Sequence, residues 1–458
     1  MSVSATNRTA DWKASDQRHH MHPFTDHQDL GKRGGSRIIT RAKGVYIYDS
    51  DGNKILDGMA GLWCVNMGYD REDLVQAAAN QMRELPYYNN FFQCTHPPAI
   101  ELSALLSELS PGDFNHVFYS GSGSEANDTQ IRLIRRYWDL LGHPEKMTII
   151  ARKNAYHGST LGGASLGGMS AMHSQQVLPV PGIVHIDQPY QFELGADLSP
   201  EEFGLQQARL LEKKILELGV DKVAAFFAEP VQGAGGVIIP PESYWPEIQR
   251  ICDEYGILLV ADEVITAFGR LGQWFGSTHF GIRPDLISFA KGVTSGYLPL
   301  GGSLVSRRVA DVIIAEGGEF AHGYTYSGHP TTCAVALANL RAMQAEGIVD
   351  RVREQTAPYF NERWATLAEH PIIGEARSLG LVGAIEIVKN KESRERFGKD
   401  LGAGTRCRDI CVNNGVVMRA VGDTMIVSPP LIFEKEHTDE LVEKAWKCLD
   451  LTAESLGA

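Results

Sequence analysis

The stretch LLVADEVITAFGR, residues 258–270, begins as an apolar run and then places two carboxylic acids side by side. Leu258 to Ala261 are all apolar, and Asp262 and Glu263 follow directly. A short continuous apolar run is typical of a strand that is covered on both faces, as in parallel sheets. Two acids at the end of such a strand therefore need a reason other than packing.

Short apolar runs alternate with amphipathic segments through the middle of the chain, which predicts an α/β fold with a mostly parallel sheet. The runs are VFYS (117–120), TIIAR (148–152), VAAFFAEP (223–230), ILLVADE (257–263), LISFAK (286–291) and GGSLVS (301–306). Near the N-terminus, GVYIYDSDGNKILDG (44–58) predicts a hairpin. We expect an N-terminal arm and hairpin over residues 1–60 that belong to the small domain, a large α/β domain over 61–330, and a small C-terminal α+β domain over 331–458.

Charge and cysteine content restrict the partners. The formal net charge of −13 argues against a nucleic-acid or anionic-membrane surface, which would need a basic patch. The seven cysteines are dispersed without a C-x-x-C pair, as is usual in a reducing compartment. No apolar run approaches the roughly 18 residues that a membrane span needs. The first 25 residues lack the apolar segment of a signal peptide. Small-molecule partners and a cytoplasmic location are expected.

Three successive strand ends carry a charged residue: Glu229, Asp262 and Lys291. Neighbouring ends are separated by about one strand–helix–strand unit. Ligands of open α/β sheets bind beyond the carboxyl ends of the strands, so the two acids and the lysine are expected to converge at one rim. A plain salt-bridge cluster is the alternative for an isolated trio of this kind.

The loop SGSGSEAND (120–128) has the features of a phosphate-binding loop. It ends an apolar strand and opens a helical run, and Ser122-x-x-Glu125 fits a capping box. A glycine-bearing loop at a helix N-terminus offers amide donors and a positive dipole end to a phosphate. Because the loop lacks the lysine of a Walker motif and the G-x-G-x-x-G spacing, a phosphate is expected but a nucleotide is not.

Pyridoxal 5′-phosphate is the cofactor that needs these groups together. Its aldehyde takes a lysine amine, its ring nitrogen needs a carboxylate to stay protonated, and its phosphate needs amide donors. Lys291 is the expected Schiff-base lysine and Asp262 the expected ring partner, which explains the first acid of the opening stretch. Glu263 is expected to point away and to pair or accept backbone hydrogen bonds, because adjacent strand residues face opposite ways.

Six motifs match one known family in order and spacing. They are SGSGSEAN (120–127), NAYHGST (154–160), EPVQGAGG (229–236), LLVADEV (258–264), FAKGVTSGYLPLGG (289–302) and YTYSGHP (324–330). The chain resembles the class III pyridoxal-phosphate aminotransferases from about residue 20 nearly to its end. HPFTD (22–26) is most similar to the ω-amine or polyamine:pyruvate branch. The resemblance implies fold type I, and a homodimer or dimer of dimers whose active site is shared between subunits.

The resemblance also implies roles for individual positions, with catalysis by Lys291 and Asp262. It implies that the amides of Gly123 and Ser124 bind the cofactor phosphate and that Thr325 reaches the phosphate from a second subunit. Tyr156 would stack on one face of the cofactor ring and Val264 would press on the other. His157 and Glu229 would lie close to the cofactor. Tyr156 as a core aromatic and Thr325 as a turn residue are the plainer alternatives.

Two departures from other class III branches bear on the substrate. Ile265 stands where ornithine- and 4-aminobutyrate-type relatives have glutamine, and Ala234 lies near the position of a glutamate that pairs with a mobile arginine in those relatives. Without that glutamate, Arg419 could clamp the carboxylate of pyruvate and swing out for an uncharged amine tail. A surface salt bridge is the alternative role of this arginine. The aromatic candidates for the donor pocket, each of which could instead be core, are Phe24, Trp63, Tyr88 and Phe91.

The predicted reaction moves an amino group from a terminal amine to pyruvate and gives alanine. The amine could be a polyamine, an ω-amino acid or an aryl-alkyl amine. Two alternatives stay open: another reaction of the same cofactor, as in a decarboxylase or aminomutase, and a non-catalytic sensor of the cofactor or of an amine. The cluster HHMHP (19–23) raises the question of a metal, but histidines in a polar arm are more often solvated, and no metal is expected.

Overall fold

The computed structural model describes residues 5–175, 178–195 and 197–458. Its strands are β1 (Ile39–Lys43), β2 (Tyr46–Asp49), β3 (Lys54–Asp57), β4 (Phe114–Ser120), β5 (Thr148–Arg152), β6 (Ile183–Ile186), β7 (Val223–Ala228), β8 (Leu258–Asp262), β9 (Leu286–Phe289), β10 (Gly301–Ser306), β11 (Ile373–Leu379), β12 (Val382–Ile387), β13 (Val416–Val417), β14 (Arg419–Val421) and β15 (Thr424–Val427).

The helices run between and after these strands. They are α1 (Ala5–His19), α2 (His27–Lys32), α3 (Ala60–Trp63), α4 (Glu72–Glu84), α5 (Pro97–Leu109), α6 (Gly123–Leu140), α7 (Leu161–Leu166), α8 (Ser170–Ser174), α9 (Gln191–Leu194), α10 (Pro200–Leu218), α11 (Tyr244–Tyr255), α12 (Gly276–Phe280), α13 (Arg307–Glu316), α14 (Pro330–Ala345), α15 (Ile348–Arg351), α16 (Ala357–Ala365), α17 (Ala403–Asn413) and α18 (Lys435–Leu456). In the described part of the chain, no helix combines the length and the apolar character that crossing a membrane requires.

The central sheet has seven strands in the order β4-β10-β9-β8-β7-β5-β6. Strands β9, β8, β7, β5 and β6 are parallel to one another, whereas β10 is antiparallel to both β4 and β9. The predicted α/β fold with a mostly parallel sheet is therefore confirmed. Since β10 runs in reverse, the carboxyl end of β4 lies at the same edge as the carboxyl ends of the parallel strands.

Helices cover both faces of this sheet, which is why its central strands consist mainly of apolar residues. Phe227 and Val260 pack under α6 and α13, while Phe226 and Leu259 pack under α10 and α11 on the other face. Every residue of β7 and β8 is buried. The polar residues that follow these strands are consequently the first groups that a ligand at the sheet edge can meet.

Two four-stranded sheets complete the architecture. The predicted hairpin is present as antiparallel strands β2 and β3, and β3 also pairs in parallel with β13 from the far end of the sequence. The other small sheet has the order β11-β12-β15-β14. The domain boundaries given above stay a prediction.

A buried ionic network connects this last sheet to the loop after β7. Glu386 on β12 is fully buried and pairs with Arg377 at 2.6 Å and with Arg396 at 2.9 Å. Burial opposes ionisation, but the two guanidinium groups hold the pKa of Glu386 below its usual value. Arg377 also donates to the carbonyl oxygens of Gly236 at 2.6 Å and Val237 at 2.8 Å. The network thereby fixes the loop that begins with a predicted site residue, Glu229.

Candidate active site

The carboxyl edge of the central sheet encloses a cavity of about 400 Å³, a size typical of small-molecule sites. It lies where β4, β7, β8 and β9 end and where the loop after β5 begins. Eight of the predicted cofactor residues line it together: Gly123, Ser124, Tyr156, His157, Glu229, Asp262, Val264 and Lys291. Their convergence follows from the strand order, since each lies on α6 or in a segment at the carboxyl end of a strand.

Asp262 is held by three hydrogen bonds at the end of β8. Its Oδ2 accepts from His157 Nδ1 at 2.7 Å and from Asn127 Nδ2 at 2.9 Å, and its Oδ1 accepts from the amide of Val264 at 3.1 Å. Asn127 also donates to the carbonyl of His157 at 2.7 Å. These bonds fix the position and orientation of the carboxylate in the cavity wall.

Lys291 follows β9 after a single residue and has a backbone φ of +46°. A positive φ is uncommon for a residue with a side chain and is tolerated mainly at functional sites. The side chain is half-buried. Loss of water around the ammonium lowers the pKa of Lys291, and the nearby carboxylate of Asp262 opposes that shift. The neutral amine that nucleophilic or base chemistry needs is therefore more accessible here than on an exposed lysine.

The loop before α6 presents unsatisfied amide donors to the cavity. Ser122 caps the helix by accepting from the amide of Glu125 at 3.2 Å. The carboxylate of Glu125 reaches the amide of Gly121 at 2.7 Å, one residue earlier than a standard capping box. Within the described residues, no acceptor takes the amide protons of Gly123 and Ser124.

The two amides and the helix dipole form an anion site. A β-carbon on Gly123 would lie 2.8 Å from Val264 Cγ2. Only glycine therefore permits the loop before α6 to approach the turn after β8 so closely.

Glu229 and Glu263, the other two acids near the cavity, accept hydrogen bonds from backbone amides. Glu229 is buried and accepts from the amides of Tyr156 at 3.1 Å and Gly233 at 2.9 Å. Burial raises its pKa, and the neighbouring His157 opposes this. Glu263 points away from the cavity and accepts from the amide of Ser277 at 2.7 Å, as predicted. Glu263 is therefore a structural acid that fixes the start of α12.

The predicted substrate aromatics are not brought together in this single chain. Phe24 is exposed and meets the ring of Tyr156 edge-on, with 6.3 Å between ring centroids. Trp63 is only 2% exposed and packs beside Ile265, which itself lines the cavity. Phe91 and Tyr88 lie on a separate surface outside the cavity lining. The roles of these four residues stay predictions.

Thr325 also lies outside the cavity lining. It is exposed, and its carbonyl oxygen accepts from the hydroxyl of Tyr87 at 2.7 Å. Its predicted contact with the phosphate of a second subunit stays a prediction.

Arg419 stands on β14 and is half-buried. Burial lowers its pKa, and Tyr156 opposes that shift. Its positive charge is close enough to Lys291 to lower the pKa of the lysine as well. Among the described residues no carboxylate lies within salt-bridge distance of Arg419, which is not one of the residues that line the cavity. Its role as a carboxylate clamp stays a prediction.

Several cavity residues were missed from the sequence. The principal one is Asn127, which orients Asp262. It lies one helical turn after Gly123, on the same face of α6, so the helix period offered a usable signal. The others are Cys64, Gly158, Ala290, Thr294, Gly296, Leu298, Pro299 and Leu300. Most of these are small or apolar residues on loops, and their types alone give no such signal. Gly121 and Ser122 of the predicted phosphate-binding loop, and Ile265, which was predicted to bear on the substrate, also line the cavity.

The family described as Aminotransferase class-III matches residues 30–449 of the chain. The chain belongs to the class III aminotransferases. A relative named putrescine–pyruvate aminotransferase, from Pseudomonas aeruginosa, is 57% identical over 454 residues and covers 99% of both chains. An (S)-enantioselective omega-transaminase from Thermomicrobium roseum is 40% identical, with a TM-score of 0.94 over 97% of this chain and 98% of the other.

Class III aminotransferases depend on pyridoxal 5′-phosphate, and the site fits that cofactor. A solved omega-transaminase from Pseudomonas jessenii in complex with PMP is 38% identical, with a TM-score of 0.94 over 97% of this chain and 99% of the other. In this class III aminotransferase, two unpaired amides suit a phosphate, the fixed carboxylate of Asp262 suits a protonated ring nitrogen, and Lys291 suits an aldehyde. The buried Nε2 of His157 has no hydrogen-bond partner among the described residues.

Proposed function

We propose that this aminotransferase moves the amino group of a terminal amine, with putrescine as the leading candidate, to pyruvate, giving alanine. The observation that carries the proposal is the guanidinium of Arg419, which has no carboxylate partner in the described structure and lies near Lys291. Such a group suits a small keto acid, because an arginine binds a carboxylate through two parallel hydrogen bonds. The 57% identity to a protein named for putrescine and pyruvate supports the same pair of substrates.

The chain's own residues divide the work of the reaction. When bound, pyridoxal 5′-phosphate supplies an aldehyde carbon that carries the amino group and a protonated ring that accepts electrons. Lys291 would accept the proton from the donor carbon beside the nitrogen and hold it for return. Asp262, fixed by His157 and Asn127, would stabilise a proton on the ring nitrogen.

Binding and orientation fall to the other cavity residues. The amides of Gly123 and Ser124 would hold the phosphate at the positive end of α6. Tyr156 and Val264 line the same cavity and would contact the cofactor ring. Fixing the cofactor in this way keeps the Lys291 amine within reach of the proton that it moves.

The test of the proposal is alanine formation from pyruvate by the purified holoenzyme, with putrescine, 4-aminobutyrate and 1-phenylethylamine compared as donors. We expect the highest kcat/KM with putrescine. Absence of alanine with all three amines would overturn the proposed function, and a clear preference for 4-aminobutyrate would overturn the substrate assignment alone.

Replacing Arg419 should change the KM for pyruvate and the KM for putrescine to different extents. We expect Arg419→Ala to raise the KM for pyruvate roughly 10- to 100-fold, the worth of a hydrogen-bonded charge pair, with little change in the KM for putrescine. Arg419→Lys should recover part of the loss, because a lysine restores the charge but not the paired geometry. The control is Arg353→Ala, which removes an exposed arginine paired with Asp350 and Glu354. Equal KM changes for both substrates would contradict a carboxylate clamp.

We also propose that the working enzyme is a homodimer or a dimer of dimers with shared active sites. The support is an exposed aromatic surface around Thr325. Tyr87, Tyr88, Phe92 and Tyr326 are all exposed, and the rings of Tyr87 and Tyr326 meet at 5.7 Å. Clustered exposed aromatics are typical of protein interfaces rather than of free surface.

The shared site predicts a phenotype for Thr325, which lies outside this chain's own cavity. We expect Thr325→Ala to weaken retention of pyridoxal 5′-phosphate about tenfold through loss of one charge-assisted hydrogen bond. Thr278→Ala, on another exposed surface, is the control and should bind as the parent does. Light scattering should give at least twice the chain mass of 50.3 kDa. A fully active monomer, or unchanged cofactor retention in Thr325→Ala, would contradict the shared site.

A further inference from the structure

Three potential metal ligands converge at the end of α1, outside the catalytic cavity. They are a carboxylate oxygen of Asp16 and one ring nitrogen each of His20 and His22, all within 4.8 Å of one another. His20 Nδ1 lies 3.1 Å from Asp16 Oδ1, and His22 Nε2 lies 2.9 Å from Asp16 Oδ2. We propose that these residues form a site for a divalent transition-metal ion of the Zn²⁺ class.

The spacing of the ligand atoms suits such an ion. Ligands that bind tetrahedral zinc at about 2.0–2.2 Å are separated from one another by about 3.3 Å. The two measured separations are shorter by only a few tenths of an ångström, so small side-chain rotations would admit the metal. Two imidazoles and one carboxylate are a donor set that zinc, nickel and copper accept, whereas magnesium and calcium prefer oxygen ligands.

The surroundings leave a coordination position open. Ser36 Oγ donates to Asp16 Oδ2 and lies 3.5 Å from His22 Nε2, which places a further polar group beside the ion. A water molecule can fill the fourth position because His20 is exposed to solvent.

The site is connected to the mouth of the catalytic cavity by a short segment. His22 is followed after one residue by Phe24, which has a φ of +50° and contacts the ring of Tyr156 edge-on. The amide of His22 also donates to His27 Nε2 at 2.9 Å, which closes the turn. A metal that joins the end of α1 to His22 would restrain this turn and hold Phe24 over Tyr156. The ion is thus positioned to fix the N-terminal arm and not to take part in chemistry.

The experiment is equilibrium dialysis of the untagged, full-length holoenzyme against Zn²⁺, followed by elemental analysis. We expect one zinc ion per chain that is lost in His22→Ala and in Asp16→Asn, with affinity weaker by at least about 100-fold, since even an outer-shell change costs 10- to 100-fold. His19→Ala, the neighbouring histidine outside the cluster, is the matched control and should bind as the parent does.

A second readout tests the restraint on the arm. Arg18 is exposed at the end of α1, and Zn²⁺ should slow trypsin cleavage there in the parent and in His19→Ala but not in His22→Ala. Equal zinc binding by the parent and the two ligand variants would overturn the proposal. So would equal loss in His19→Ala, because the histidine run and not the three-ligand geometry would then hold the metal.

Discussion

Lys291→Ala is expected to lower kcat for amino transfer by at least about 10⁴-fold, the upper range for loss of a positioned acid–base group. Lys291 is half-buried in the cavity, and burial lowers its pKa. No other lysine among the described residues lines the cavity, so none can replace its neutral amine. Lys291→Arg should be as inactive as the alanine variant, because arginine stays protonated at any usable pH. The measurement is alanine formation from putrescine and pyruvate by the purified variants.

The control for this loss is a lysine at the same sheet edge. Lys153 follows β5 and is exposed, with its amine 2.6 Å from Asp187. Lys153→Ala should keep the parent rate, since a surface ion pair contributes little. Circular dichroism and the thermal midpoint of Lys291→Ala should match the parent and show that the fold is intact. Turnover of Lys291→Ala at the parent rate would contradict the assignment.

Asp262→Asn is expected to lower kcat about 100- to 1000-fold, the usual cost of removing one electrostatic partner from an active site. The substitution keeps the shape of the side chain but removes the charge that we propose holds a proton on the cofactor ring. It also places an amide where His157 and Asn127 now donate. The measurement is kcat at saturating pyridoxal 5′-phosphate, so that weaker cofactor binding does not imitate a slower reaction.

Asn127→Ala is the matched comparison for Asp262→Asn. It removes one donor to Asp262 Oδ2 and the bond to the carbonyl of His157 but leaves the carboxylate charged. We expect a loss of only about tenfold, typical of a residue that orients a functional group. The order parent, Asn127→Ala, Asp262→Asn is therefore predicted for kcat. A loss in Asn127→Ala as large as that in Asp262→Asn would show that orientation and not charge is the main contribution.

The ends of the buried strands could be predicted from the sequence because a fully covered strand must be apolar along its whole length. Glu229, Asp262 and Lys291 were identified on that ground, and the structure brings all three to one cavity. The direction of a strand could not be predicted from the sequence in the same way. Nothing in GGSLVS shows that β10 is antiparallel to its neighbours, since pairing direction depends on the path of the chain between strands. The short strand β6, IVHI, was also missed, because four residues carry little periodicity.

Side chains that approach the site from distant segments were harder to predict. Trp63 was expected to line the donor pocket; in this chain it packs beside Ile265 at 2% exposure, and its role stays a prediction. The run of histidines at 19–23 was considered without Asp16, whose carboxylate lies 3.1 Å from His20 Nδ1. Asp16 precedes His20 by four residues, which is the spacing of side chains on one helix face.

The visible absorption spectrum of the holoenzyme reports directly on cofactor binding and on both halves of the proposed amino transfer. The spectrum is recorded for the protein alone, after addition of putrescine, and again after addition of pyruvate, with Lys291→Ala recorded in parallel. We expect a band of the bound cofactor that putrescine bleaches and pyruvate restores in the parent, with no such cycle in Lys291→Ala. A band that responds to neither compound would contradict the proposed substrates. Failure to bind pyridoxal 5′-phosphate at all would contradict the assignment of Lys291, Asp262 and the amides of Gly123 and Ser124.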